Sequence, residues 1–167
     1  MIYNLYMIIA GFPCIGKTTM AKRFDNVFDL SSTKFHYLIE DDLICEKLKG
    51  NENRLTANPN WPQNYIDEIL KIQNKYKIIF ILAREYILEE LNKLNVDYII
   101  AIPEEGLKQE YLSRALNRGN EENFIQGFET RYEKWRNMMF SQPVKKIYLK
   151  KGEFIEDTLK RMKLYGG

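Results

Sequence analysis

Residues 11–18 read Gly11-Phe12-Pro13-Cys14-Ile15-Gly16-Lys17-Thr18, the pattern G-x-x-x-x-G-K-T of a phosphate-binding loop. The spacing has a physical cause. Glycines let the backbone curl so that its N–H groups face phosphate oxygens, Lys17 adds a mobile point charge, and the Thr18 hydroxyl is placed to ligate Mg²⁺. Such a loop must follow a buried strand and open a helix, whose positive dipole end then faces the same anion. Both neighbours fit. Leu5-Tyr6-Met7-Ile8-Ile9-Ala10 is the unbroken apolar run of a central parallel strand. Thr18-Thr19-Met20-Ala21-Lys22-Arg23-Phe24 contains no breaker and puts Met20, Ala21 and Phe24 on one helical face. The loop residues Gly11 to Thr19 are therefore the expected nucleotide-binding segment.

Working outward, apolar runs alternate with helical patterns, which predicts βαβ units and a parallel sheet covered on both faces. Strands are expected over about Tyr3–Ala10, a short run ending at Asp29, Lys77–Leu82, Asp97–Ile102 and Lys146–Leu149. Helices are expected from near Pro62 (Ile66, Ile69 and Leu70 inward), after Arg84, over about Leu107–Arg118, from an N-cap at Asn120, and over about Phe154–Leu164. A short apolar helix is expected around Asp42–Leu48. Phe124, Phe128, Tyr132, Trp135 and Met139 recur every three or four residues and read as a core-facing stripe. No repeat, linker or low-complexity tract interrupts residues 1–167, so a single domain is expected.

Composition bounds the function. The chain has 167 residues, 45% of them hydrophobic and 29% charged, as in an ordinary globular protein. A net charge of +2 is too small for a strong nucleic-acid field. Two cysteines, Cys14 and Cys45, make no disulfide framework and read as free thiols of a cytoplasmic protein. The amino end lacks the basic region of a signal peptide, and no run approaches the roughly 20 apolar residues that span a bilayer. No Asn-Lys-x-Asp stands where it would read guanine, and the third strand ends without a carboxylate for a metal.

Other residues point to phosphoryl transfer. Arg114 and Arg118 are four apart on one helical face, placed to offset charge spread over a moving phosphoryl group. The alternative is a solvated face with Glu110 pairing Arg114. Asp29 follows the second strand and belongs at the crevice outside the strand ends. There it serves either as a base for a hydroxyl acceptor or as a metal-shell carboxylate, with Ser31 and Ser32 beside it for an acceptor phosphate or sugar. Arg84 faces the same crevice, suited to gripping an acceptor phosphate or to pairing with Glu85 or Glu89. His36, the sole histidine, reads as an incidental residue of the surface or the acceptor loop.

The chain resembles the P-loop nucleotide kinase superfamily, in the broad group of nucleoside monophosphate kinases. It is similar to small nucleotide kinases of phages and viruses. Residues 11–18 carry the resemblance, with Asp29-Leu30-Ser31-Ser32-Thr33-Lys34-Phe35, Asn60-Trp61-Pro62-Gln63-Asn64-Tyr65-Ile66, Ile102-Pro103, Leu107–Tyr111 and Arg114-x3-Arg118-Gly119-Asn120 with Phe124-Ile125. The resemblance implies a three-layer α/β/α P-loop fold on a five-stranded parallel sheet, with a small lid over about 107–126 and an acceptor region over about 31–61. It implies ATP and Mg²⁺, with Lys17 and Thr18 on them and Arg114 and Arg118 as lid arginines. Asp29 then stands in for the absent third-strand carboxylate. The implied reaction is phosphoryl transfer to a nucleoside or deoxynucleoside monophosphate by a monomer or homodimer. A kinase for a hydroxyl, nucleic acid entering only as a 5′-hydroxyl acceptor, and a nucleotide-binding regulator remain the competing expectations.

Overall fold

The computed structural model describes residues 6–38 and 55–166. Tyr3–Leu5 of the expected first strand, the expected helix at Asp42–Leu48, and Cys45 lie outside the described residues.

Five strands form one sheet: β1 (Met7–Gly11), β2 (Val27–Asp29), β3 (Ile78–Leu82), β4 (Ile99–Pro103) and β5 (Lys146–Leu149). All neighbours run parallel in the order β2-β3-β1-β4-β5. Ile8, Ile9, Ala10, Ile79, Phe80, Ile100 and Ala101 are buried, as both faces of a parallel sheet must be when helices cover them. At the edge, β5 alternates instead, with Ile147 and Leu149 buried and Lys146 and Tyr148 half-exposed. The sheet's central register pairs Gly11 with Leu82 on one side and with Ala101 on the other. The first residue of the glycine-containing loop 11–18 is thus fixed between two neighbouring strand ends.

Helices complete a three-layer α/β/α fold. They are α1 (Lys17–Arg23), α2 (Thr33–His36), α3 (Gln63–Ile72), α4 (Glu85–Lys93), α5 (Lys108–Asn117), α6 (Glu122–Phe140) and α7 (Ile155–Arg161). Contacts pair α1 with α7, α3 with α4, and α5 with α6. The expected boundaries shift at several ends. β4 starts at Ile99 rather than Asp97, α7 ends at Arg161 rather than Leu164, and Pro62 precedes α3 rather than opening it. Glu121, not Asn120, is the N-cap of α6. The Asn120 amide reaches backwards instead, donating to Ala115 O at 2.9 Å and capping α5. Gly119, at φ +78°, makes the turn between the two helices.

The core beneath the loop of residues 11–18 is aromatic. Phe12 is fully buried, with ring centroids of Tyr132 at 5.0 Å, Tyr111 at 5.8 Å and Phe128 at 6.0 Å. Arg136 of α6 is buried and donates from Nε to Pro103 O at 2.9 Å, tying that helix to the end of β4. Among the described residues no helix is long and apolar enough to cross a membrane.

Candidate functional site

A cavity of about 720 Å³ lies at the carboxyl ends of β1, β2 and β3. That is the end of a parallel sheet where ligands bind.

Its floor is the loop of residues 11–18. Both motif glycines sit in close quarters. A Cβ on Gly11 would lie 2.8 Å from the Lys17 stem, and Gly16 sits at φ +90° with the Phe154 ring 3.0 Å from where its Cβ would be. Phe12 is turned away from the cavity: its ring is in the core and its N–H donates to Ala101 O at 2.9 Å. Among the described residues, no protein acceptor takes the amide hydrogens of Cys14, Ile15, Gly16, Lys17, Thr18 or Thr19. A run of unclaimed amides is what an anion-binding nest consists of.

Lys17 is half-buried and donates from Nζ to Gly11 O and Phe12 O, both at 3.1 Å. Burial holds its pKa below the ordinary lysine value, and the Asp29 carboxylate works against that shift. Thr18 donates its hydroxyl to Asp29 Oδ2 at 2.6 Å. The end of β2 therefore meets the start of α1, and two oxygens converge beside the loop.

Ser31 and Ser32 line the cavity next to Asp29, and Arg84 lines it from the end of β3. Neither Glu85 nor Glu89 pairs with Arg84; its guanidinium lies 4.8 Å from the centroid of the Trp135 ring. Tyr65 holds this side together. Its buried hydroxyl donates to Leu30 O at 2.7 Å and accepts from Leu82 N at 2.8 Å, joining the chain just beyond β2 to the end of β3. Burial pushes its pKa well above that of a free phenol.

Helix α5 and its C-terminal end contribute both expected arginines. Arg118 is exposed, with Nη1 3.2 Å from Cys14 Sγ. Arg114 is engaged on several sides. It donates to Cys14 O at 3.1 Å and Glu153 O at 2.7 Å, pairs with Glu110 at 3.3 Å, and is stacked against Tyr111 and Phe154. The Glu110 pairing read from sequence is present, with Arg114 lining the cavity and both side chains largely buried rather than on a solvated face.

Cavity residues not singled out as site residues from sequence include Phe124, Trp135 and Met139 of α6, and Phe154 before α7. The first three belong to the stripe read as core, and only Phe128 and Tyr132 of that stripe pack under the loop. His36 does not line the cavity; its ring is stacked on Trp61 at 4.4 Å and on Tyr37 at 4.5 Å. Among the described residues no three His, Cys, Asp or Glu side chains cluster to hold a metal by themselves.

No family model matches the chain, and no curated protein matches it. A solved structure of an uncharacterized protein from Eubacterium ventriosum ATCC 27560 aligns over 96% of this chain and 97% of its own, at 16% identity and a TM-score of 0.49.

Proposed function

We propose that the protein is an ATP-dependent nucleotide kinase of the P-loop superfamily, transferring the γ-phosphoryl group of ATP to a nucleoside or deoxynucleoside monophosphate. The observation that carries this reading is the cavity's charge. Among the described residues, Lys17, Arg84, Arg114 and Arg118 line it against one carboxylate, Asp29, around a G-x-x-x-x-G-K-T loop with unclaimed amides. Such a lining suits two polyanions brought face to face.

In this reaction an acceptor phosphate oxygen forms a bond to Pγ. The bond from Pγ to the bridging oxygen breaks, and its electron pair leaves with ADP. The acceptor is already ionised, so the step needs alignment rather than a base. Lys17 leaves its two carbonyls to hold the β- and γ-phosphates, the loop amides hold the phosphate tail, and Arg118 offsets charge on the moving group. Arg84 grips the acceptor phosphate, with Ser31 and Ser32 in reach of its sugar or phosphate. The residues present fit Mg²⁺, which binds through one or two protein oxygens together with phosphates and water. Thr18 Oγ1 and Asp29 Oδ2, 2.6 Å apart, are that pair. When bound, Mg²⁺ neutralises charge on the β- and γ-phosphates.

A coupled assay for ADP release tests the proposal across nucleoside monophosphates, deoxynucleotides, nucleosides and 5′-hydroxyl oligonucleotides. ADP release with a monophosphate is expected. Binding of ATP with no transfer to any acceptor would make the protein a nucleotide-binding regulator instead. One observation favours a second reading: Asp29 faces the cavity beside two serines, as the base for a hydroxyl acceptor would. Asp29→Asn separates the two. A loss of turnover of about 10²-fold or more confined to nucleoside substrates supports a base, whereas a loss with monophosphates that raised Mg²⁺ relieves supports a metal-shell carboxylate and the first reading.

A further inference from the structure

We infer that Arg114 is a positioning residue for the phosphate loop, holding it in a turn that Cys14 by itself disfavours. The functional consequence rests on the nucleotide-binding reading above; the bracing itself does not.

Cys14 has φ +64°, in the left-handed region where a β-carbon is penalised and where glycine sits freely. The penalty has to be met by contacts from elsewhere. Arg114 supplies them from α5, a hundred residues along the chain. Nη1 donates to the carbonyl of Cys14 itself, at 3.1 Å. Nη2 donates to Glu153 O at 2.7 Å, so one planar fork spans the loop and the turn before α7. The guanidinium cannot swing easily. It is stacked 4.5 Å from the Tyr111 centroid and 4.2 Å from that of Phe154, paired with Glu110, and its side chain is only 11% exposed.

A second strut comes from the same turn, where Ile155 N donates to Ile15 O at 2.8 Å. The loop is thus braced at its left-handed residue, Cys14, and at the next, Ile15. Arg118 stands apart: it is exposed and touches Cys14 only through sulfur. The two arginines therefore divide the work, with Arg118 left available to a ligand and Arg114 spent on shape. Lysine at position 114 keeps the charge but has one nitrogen in place of the planar fork whose two nitrogens reach Cys14 O and Glu153 O separately and stack on the Tyr111 and Phe154 rings.

The experiment compares the full chain with Arg114→Lys, Cys14→Gly and the double variant, each checked for an unchanged thermal transition. Amide hydrogen exchange over residues 14–19 is read in the ligand-free protein, and ATP affinity and transfer are read alongside. Arg114→Lys is expected to speed loop exchange about tenfold. Adding Cys14→Gly, which removes the backbone penalty, is expected to bring exchange and ATP affinity back to within about threefold of the unaltered chain. The inference is overturned if Arg114→Lys leaves ligand-free exchange unmoved while transfer falls, because the arginine then acts on the phosphoryl group. It is equally overturned if glycine at position 14 fails to slow exchange in the double variant. Should the unaltered chain bind no ATP, the nucleotide reading fails, and the exchange series still decides the bracing.

Discussion

The two ends of the cavity are built differently. At the end formed by residues 11–18, cations are already bonded to the main chain: Lys17 to Gly11 O and Phe12 O, Arg114 to Cys14 O and Glu153 O. At the far end, Arg84 rests on the Trp135 ring with no carboxylate partner among the described residues. A loop that wraps a chain of phosphates gains from being formed beforehand, because fixed dipoles need no reorganisation when the charge arrives. A site that takes one group of a second substrate needs one correctly aimed cation and room around it. The difference shows that the first end is set by backbone and the second by a few side chains.

The comparison breaks most readily at Lys17. Lys17→Ala should lower ATP affinity and transfer together by about 10²–10³-fold, measured by titration and by ADP release. If both survive, the loop is not a nucleotide site. Arg84→Met should act only at the other end. The KM for a monophosphate acceptor should rise about 10- to 100-fold, as for a lost charged hydrogen bond, while the KM for ATP stays put. A matched rise in both constants would mean that the two ends are not separate.

Tyr65 sharpens the contrast in stability rather than in rate. Its hydroxyl satisfies Leu30 O and Leu82 N across the ends of two strands. Tyr65→Phe leaves both groups inside without a partner and should cost about 2 kcal/mol in denaturant unfolding. It should also raise the acceptor KM, because Asp29 and Arg84 emerge from those strand ends.

A smaller effect belongs to the turn that Arg114 grips. Hydrogen bonding to Arg161, first of all, and to Lys150 N and Thr158 holds the Glu153 carboxyl down to about 2. The folded pKa is depressed, so this stabilisation is complete above the ordinary glutamate value and fades as pH falls from about 4.5 toward 2. Thermal midpoints of the native chain and of Glu153→Gln should therefore converge on acidification through that window. Parallel curves would show that the carboxylate's charge is not what steadies the turn.

How far these features could be read in advance follows their physics. The strands were legible because a strand buried on both faces is a continuous apolar run, as in Ile78–Leu82. The loop was legible because its glycines answer to geometry: Gly16 sits at φ +90°, and a Cβ at Gly11 would press on the Lys17 and Ile15 side chains. The α6 stripe was only half legible. Helical periodicity shows that Phe124, Phe128, Tyr132, Trp135 and Met139 face inward, but core and cavity are both inward. Asn120 carried a cap signal for the helix after it and used its amide on the helix before it. The Glu110 pairing of Arg114 was legible, but its grip on two carbonyls and the bridging by Tyr65 were not. Their partners lie 39 and 35 residues away, at Glu153 and Leu30, and are backbone atoms that no residue type announces.

The smallest predicted effect is the most discriminating about that last point. Tyr111 and Tyr132 bury hydroxyls under the loop, beside Phe12, and neither hydroxyl has a hydrogen-bond partner among the described residues. Burial raises both phenols, with Tyr132 pushed up to about 12. A buried phenol without a partner has lost water and gained nothing in return, so only its ring contributes. Tyr132→Phe keeps the ring against Phe12 and removes the unpaired hydroxyl. Stability should stay within about 0.5 kcal/mol or rise, against the loss expected for Tyr65→Phe. The same substitution in one core thus has opposite outcomes, decided by whether the oxygen meets backbone. A loss of about 2 kcal/mol at Tyr132 would mean that its hydroxyl has a partner in solution, and that the aromatic floor of the loop is held by polar contacts as the far end is.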